Sequence, residues 1–221
     1  MAQHSSGAAI TIQRVTAQQP GRLELVSEAV GDDGRIADLH SAYHDDVSPA
    51  LAWTGMPDAQ SFALIVEDPD APTERPFIHW ALWNIPGLLE GLPAGIRNAP
   101  TLDDLDGMVQ GRNSANGFGY MGPKPPPGDG PHRYHFQLFA LDLSLDLPPS
   151  APLEELVERL KGHTIASAEL VGTYAQGDGQ PAAPQPSERS FASSEDRGGL
   201  DADDADRHAP HDDDGVVRPE A

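Results

Sequence analysis

Three segments carry the hydrophobic pattern of β-strands. Phe62-Ala63-Leu64-Ile65-Val66 is an unbroken apolar run rich in β-formers, which predicts a strand buried on both faces. Phe77–Ile85 has the same character and includes Trp80 and Trp83. Arg133–Leu143 alternates: Tyr134, Phe136, Leu138 and Ala140 share one face, and Arg133, His135 and Gln137 the other. Ile10–Val15 and Leu23–Val26 are predicted as early strands. Helical spacing comes late. Leu153, Leu156, Val157 and Leu160 line one face of a predicted helix. Thr164–Tyr174 is predicted as a second helix, with Thr164 as its N-cap. Strands first, short helices last and Pro- and Gly-rich connections together predict a mostly-β domain.

The pattern stops near Gly177. From there to Ala221 the only large aliphatic or aromatic residues are Phe191, Leu200, Val216 and Val217, among 12 acidic and 4 basic residues. Such a segment buries too little apolar surface to offset its ordering entropy. The chain is therefore divided into a folded domain, residues 1–176, and an acidic, disordered tail, residues 177–221. In the tail, His208, His211, Asp212, Asp213 and Asp214 have no spacing that matches a Ca²⁺ loop, and no metal or cofactor is expected.

Charge and composition narrow the function. The chain has 221 residues, no Cys and a net charge of −21, of which −8 lies in the tail. Without Cys there is no disulfide, thiolate metal site or cysteine nucleophile. The acidity argues against nucleic acid, whose phosphates need Lys and Arg, and against anionic membrane surfaces. The longest apolar run is about five residues against the roughly 20 needed to span a bilayer. The N-terminus lacks a basic start followed by an apolar stretch, so no signal peptide is expected and the cytoplasm is the expected compartment.

Candidate chemistry gathers around two rigid loops. Asp68-Pro69-Asp70-Ala71-Pro72 follows the first apolar strand, with Asp68 in phase with Phe62, Leu64 and Val66. A carboxylate at that buried strand end needs a donor or a cation; the pentapeptide also reads simply as a turn. His79 lies in the second strand, in phase with Ala81, Trp83 and Ile85, and Asp68 is a candidate partner for its ring. The competing reading is a satisfied core histidine. Gly119–Pro131 combines glycines, which let backbone approach a ligand, with prolines, which stiffen the loop. It ends at His132 and Tyr134, two apart and thus on one strand face. Gly117–Gly122 matches G-x-G-x-x-G by letter, but Pro123 and Pro125–Pro127 follow where a dinucleotide site needs a helix.

Together these segments resemble the phosphatidylethanolamine-binding protein family, most closely its bacterial Raf-kinase-inhibitor-like branch. The resemblance runs through Asp68–Pro72, His79-Trp80, Asn84-Ile85-Pro86, Gly119–Pro123, Pro126-Pro127, His132-Arg133-Tyr134 and Phe139–Asp142. Ser48–Trp53 and Glu169–Tyr174 extend it across roughly residues 8 to 176. It implies a central antiparallel-rich sheet packed on a smaller sheet, with short C-terminal helices. It also implies a small pocket for phosphate, acetate or a phospholipid head group, lined by Asp68, Pro72, His79, Gly122, His132 and Tyr134. The family's early Cys-Asp-Gly turn is replaced here by Tyr43-His44-Asp45-Asp46.

The expected function is thus a small-anion-binding module, with a protein partner such as a kinase or peptidase. The alternative is a hydrolase of phosphate esters, with His79 or His132 as acid/base and Asp68 orienting it. Against it, the chain has no Ser nucleophile elbow and no H-E-x-x-H motif. The charge excess, carried with only two lysines, Lys124 and Lys161, is what a protein working at high salt tolerates. The expected outcome is a melting temperature that climbs steeply with NaCl in a thermal-unfolding series; a flat series would contradict this.

Overall fold

The computed structural model describes residues 9–19, 22–55 and 58–177. The acidic tail beyond Gly177, with its His208–Asp214 cluster, lies outside them. The described chain begins with one helical turn, α1 (Thr11–Arg14). Nine strands follow: β1 (Glu24–Val26), β2 (Leu51–Thr54), β3 (Ser61–Asp68), β4 (Phe77–Pro86), β5 (Gly91–Leu92), β6 (Thr101–Leu102), β7 (Met108–Gln110), β8 (His132–Leu141) and β9 (Thr164–Tyr174). Helix α2 (Leu153–Leu160) precedes β9. The strands form a six-stranded sheet, β6-β7-β4-β3-β8-β9, and a three-stranded sheet, β1-β2-β5. All pairs within them are antiparallel.

Burial explains the order. β3 is buried at all eight positions because it is central in the large sheet, which is covered on both faces. One face, with Phe62, Leu64, Val66, Leu82, Phe136 and Leu138, packs with Leu25, Leu51 and Trp53 of the small sheet. The other face, with Ala63, Ile65, Trp83 and Phe139, packs with Leu156, Val157 and Leu160 of α2. Small sheet, large sheet and helix thus form three layers, as expected for a mostly-β domain.

Two of the predicted elements differ. Thr164–Tyr174 is the strand β9, antiparallel to β8 over its length. Its burial has the two-residue period of a strand: Thr164, Ala166 and Ala168 face in, and Ile165, Ser167 and Glu169 are more exposed. Small residues there permit close packing. A Cβ on Gly172 would lie 2.5 Å from Ile36 Cγ1. Ile10–Val15 is a helical turn and not a strand, because buried side chains capture its backbone donors. Thr11 N donates to Glu67 Oε2 at 2.7 Å, and Ile12 N to Gln137 Oε1 at 2.6 Å.

Two β-bulges interrupt the β3–β4 register, between Phe62 and Leu64 and between Val66 and Glu67. At the second, Val66 pairs with Trp80 and Glu67 with Ile78, so His79 is the extra residue. Bulges re-aim side chains, and this one breaks the phase that alternation assigned to His79. Ile78 packs with the helix-side core, whereas His79 stacks on Phe77 and Tyr134 at 4.8 and 5.0 Å.

Glu67 is buried on the helix side and accepts three hydrogen bonds, from Thr11 N, Thr11 Oγ1 and Gln137 Nε2. Burial pushes its carboxyl above the usual range, against those bonds and Arg14. A raised carboxyl contributes stability below its ordinary value and loses it as pH rises to the folded value. A glutamine can keep the pattern, its oxygen accepting from Thr11 N and Gln137 and its amide donating to Thr11 Oγ1. Glu67→Gln is therefore expected to match or exceed the wild type in urea unfolding at neutral pH. Glu67→Ala, which leaves buried donors unpaired, should cost about 2–3 kcal/mol.

Candidate functional site

The site forms where the last residue of β3 meets the first residues of β4 and β8. Asp68 ends β3, is nearly fully buried and uses both carboxylate oxygens. Oδ1 accepts from the backbone N–H groups of Asp70 and Ala71, at 2.8 and 3.1 Å. This is an Asx turn, so the turn reading of Asp68–Pro72 is correct. Oδ2 lies 2.8 Å from Nδ1 of His132, the first residue of β8. That bond raises the His132 pKa above the ordinary histidine value, against partial burial. The carboxylate thus serves the turn and a histidine together.

Asp70 fastens the same turn to the next residue of β8. Its Oδ2 accepts from Arg133 N and Nε at 2.9 and 2.8 Å, and its Oδ1 from the guanidinium at 2.6 Å. Burial alone would raise the Asp70 carboxyl, but the Arg133 bonds outweigh it and hold it low. Two adjacent pairs, Asp68–His132 and Asp70–Arg133, therefore clamp the loop to the strand.

His79 is buried and its Nδ1 donates to the Met121 carbonyl at 2.7 Å. Its partner is thus the Gly-Pro loop and not Asp68, whose carboxylate is committed elsewhere. Burial lowers its pKa, against the Met121 carbonyl and the charge of Asp68. The two histidines are consequently tuned in opposite directions.

A cavity of about 240 Å³ opens between these groups. Asp68, Ala71, Pro72, His79, Lys124 and His132 line it, with Thr73, Phe77, Met121 and Pro126. Of the six residues expected to line a pocket, Asp68, Pro72, His79 and His132 do so. Tyr134 lies behind them: its ring is edge-on to His79, and its buried hydroxyl makes no hydrogen bond. Gly122 faces away from the cavity. A Cβ there would sit 2.1 Å from the His40 carbonyl oxygen, so its lack of a side chain serves loop packing. In its place Lys124, two residues on, reaches the cavity.

The segment 40–46, which contains the Tyr43–Asp46 replacement of the family's turn, holds that loop. Asp46 Oδ1 accepts from Gly122 N at 2.6 Å, and Ala42 N and Ser41 Oγ donate to the Pro123 carbonyl at 3.0 and 3.1 Å. Tyr43 donates to the Pro125 carbonyl and Tyr120 to the His40 carbonyl, both at 2.8 Å. Asp46 takes a positive φ of 54°, tolerated by Asp in tight turns. The Asp-Asp pair after Tyr43-His44 is the sequence signal, readable as a turn but not assignable to a distant loop.

The Asp68–His132 bond makes a titration prediction. In Asp68→Asn the His132 midpoint, followed by its ring-proton NMR shift, is expected to fall toward the ordinary value. The wild-type contribution is present below that ordinary value and is lost as pH rises through the raised folded value. The stability gap between wild type and Asp68→Asn should therefore narrow between acid and alkaline pH.

Comparison with known proteins agrees with this fold. Residues 26–175 match the family described as phosphatidylethanolamine-binding protein. A UPF0098 protein of Methanothermobacter thermautotrophicus is 42% identical over 156 residues, covering 70% of this chain and 100% of its own length. Among solved structures, YbcL of Escherichia coli, titled a member of the mammalian PEBP family, aligns with a TM-score of 0.63 at 30% identity. It covers 70% of this chain and 99% of its own. CT736 of Chlamydia trachomatis, titled a phosphatidylethanolamine-binding protein homologue, aligns with a TM-score of 0.62 at 36% identity, covering 70% and 97%. The chain belongs to the phosphatidylethanolamine-binding protein family.

Proposed function

We propose that the protein is a binding module for a small oxyanion, a phosphate or carboxylate group on a head group or on a protein partner. The observation that carries this reading is the buried Asp68–His132 pair at the wall of a cavity. The carboxylate accepts at His132 Nδ1, so the imidazolium keeps Nε2–H for a ligand. Lys124, exposed at the same wall, adds a second cation in a chain with few lysines. Charge-assisted hydrogen bonds of this kind hold an anion against an unfavourable overall charge. A regulatory partner would engage by placing a phosphorylated or carboxylated side chain in the cavity.

Hydrolysis of phosphate esters is the second reading, because a carboxylate-oriented histidine is also an acid/base pair. A nucleophile is not evident among the lining residues. The Thr73 hydroxyl donates to the Arg75 carbonyl at 2.5 Å.

Titration calorimetry with phosphate and phosphoethanolamine tests the binding reading. Weak binding is expected in the wild type, with loss in Asp68→Ala and His79→Ala. Unchanged affinity in both variants would overturn the site. Turnover of phosphomonoesters or diesters that disappears in His132→Ala would favour the enzyme.

A further inference from the structure

We propose that the cavity selects an oxyanion bearing one proton, such as the monoanion of a phosphate monoester, because its two histidines present one donor and one acceptor. This selectivity rests on the anion-binding reading above and adds a proton requirement to it.

The Met121 carbonyl can only accept, so the 2.7 Å contact places the His79 proton on Nδ1. A neutral imidazole has one N–H, which leaves Nε2 with a lone pair. Among the described residues Nε2 makes no hydrogen bond of good geometry, the Gly122 backbone being the ring's other polar neighbour, and the ring lines the cavity. Burial opposes a second proton on this ring. His132 is the reverse case. Asp68 accepts from its Nδ1, and the imidazolium directs Nε2–H outward, with Asp129 Oδ2 3.9 Å away.

Several charged or titratable groups surround His79. Asp68 comes from β3 and Asp46 from the segment that clamps the loop, and both favour its protonation without offsetting burial. His132 and Tyr134 come from β8, and Lys124 from the Gly-Pro loop. Tyr134 stays neutral, because burial drives its hydroxyl far above the usual range. At a pH near the ordinary histidine value, where the opposite shifts leave His132 mainly protonated and His79 mainly neutral, the cavity therefore offers His132 Nε2–H to an O⁻ and His79 Nε2 to an O–H. A ligand with O⁻ alone would set its lone pairs against that of His79.

Inorganic phosphate and sulfate are the probes, of similar size and shape. At about pH 6.5 inorganic phosphate carries one or two protons, since it loses a proton near about pH 6 or above and HPO₄²⁻ keeps its O–H. Sulfate carries no proton there. Calorimetry on the full chain is expected to show sulfate at least ten-fold weaker than phosphate, despite its greater charge. The ratio should fall to within about two-fold in His79→Gln, whose amide can turn its N–H toward an oxyanion. Thermal unfolding establishes that this variant is folded. As a second measurement, wild-type binding of phosphoethanolamine at about pH 8.5, where the phosphate monoester has lost its last proton, should take up close to one proton more per site than binding by His79→Gln, read from buffers of different ionisation heat. Equal binding of phosphate and sulfate by the wild type would overturn the proton requirement and leave the anion site standing. So would an unchanged ratio in folded His79→Gln, or no added proton uptake. Absence of binding of either anion at every pH would overturn both.

Discussion

The end of the large sheet depends on the burial of one carboxylate. Asp68 closes a strand that is apolar for five of its eight residues and buried throughout. A charge there is tolerated only with donors, and Asp68 has three: Asp70 N, Ala71 N and His132 Nδ1. Two donors come from the turn that leaves β3 and one from the strand that lies beside it. Removing one partner of a buried pair costs about 3–5 kcal/mol, comparable to much of a domain's net stability. The turn, the start of β8 and the cavity wall therefore form as one unit. The same hydrogen bonds that make Asp68 affordable also raise the proton affinity of His132.

The opposite wall is set by backbone irregularity. The bulge at His79 turns its ring from the helix-side core toward Phe77 and Tyr134, and the Met121 carbonyl fixes its tautomer. Met121 is held in turn because Gly122, its neighbour, is bound to Asp46 and pressed against His40. Prolines keep the loop from relaxing. A chain of contacts thus runs from residues 40–46, through the Gly-Pro loop, to one nitrogen of one histidine.

Much of this was legible in the sequence, and the limits have physical causes. β3, β4, β8 and α2 follow from hydrophobic periodicity, because their partners cover one or both faces evenly. β9 did not, since Ala166, Ala168 and Gly172 are too small to show a period, and Leu170 and Val171 blur it. Asp68, Pro72, His79 and His132, grouped by the sequence reading, line one cavity, but the pairing of His79 with Asp68 is replaced by His132 with Asp68. Alternation cannot anticipate a bulge, so His79 was placed in phase with Ala81 and Trp83 and offered to Asp68. The resemblance implies Gly122 as pocket lining; a glycine admits backbone as readily as a ligand, and here the backbone is that of His40. The contact made by Asp46 was missed because its partner lies 76 residues away.

The adjacent carboxylates Glu67 and Asp68 show how position divides similar chemistry. Alternation along β3 sends them to opposite faces of the sheet. Glu67 meets neutral donors, Thr11 and Gln137, and burial pushes its proton affinity up. Asp68 meets two backbone amides and a histidine whose pKa its hydrogen bond raises. One carboxylate anchors the start of the chain, and the other polarises a cavity. The net charge of −21 is spread over the whole sequence and is screened by salt over about 10 Å. The proton affinity of His132 beside the cavity is raised by a bond of 2.8 Å in a buried place. At that range the local pair governs what the cavity can hold, and the surrounding acidity governs how readily an anion arrives.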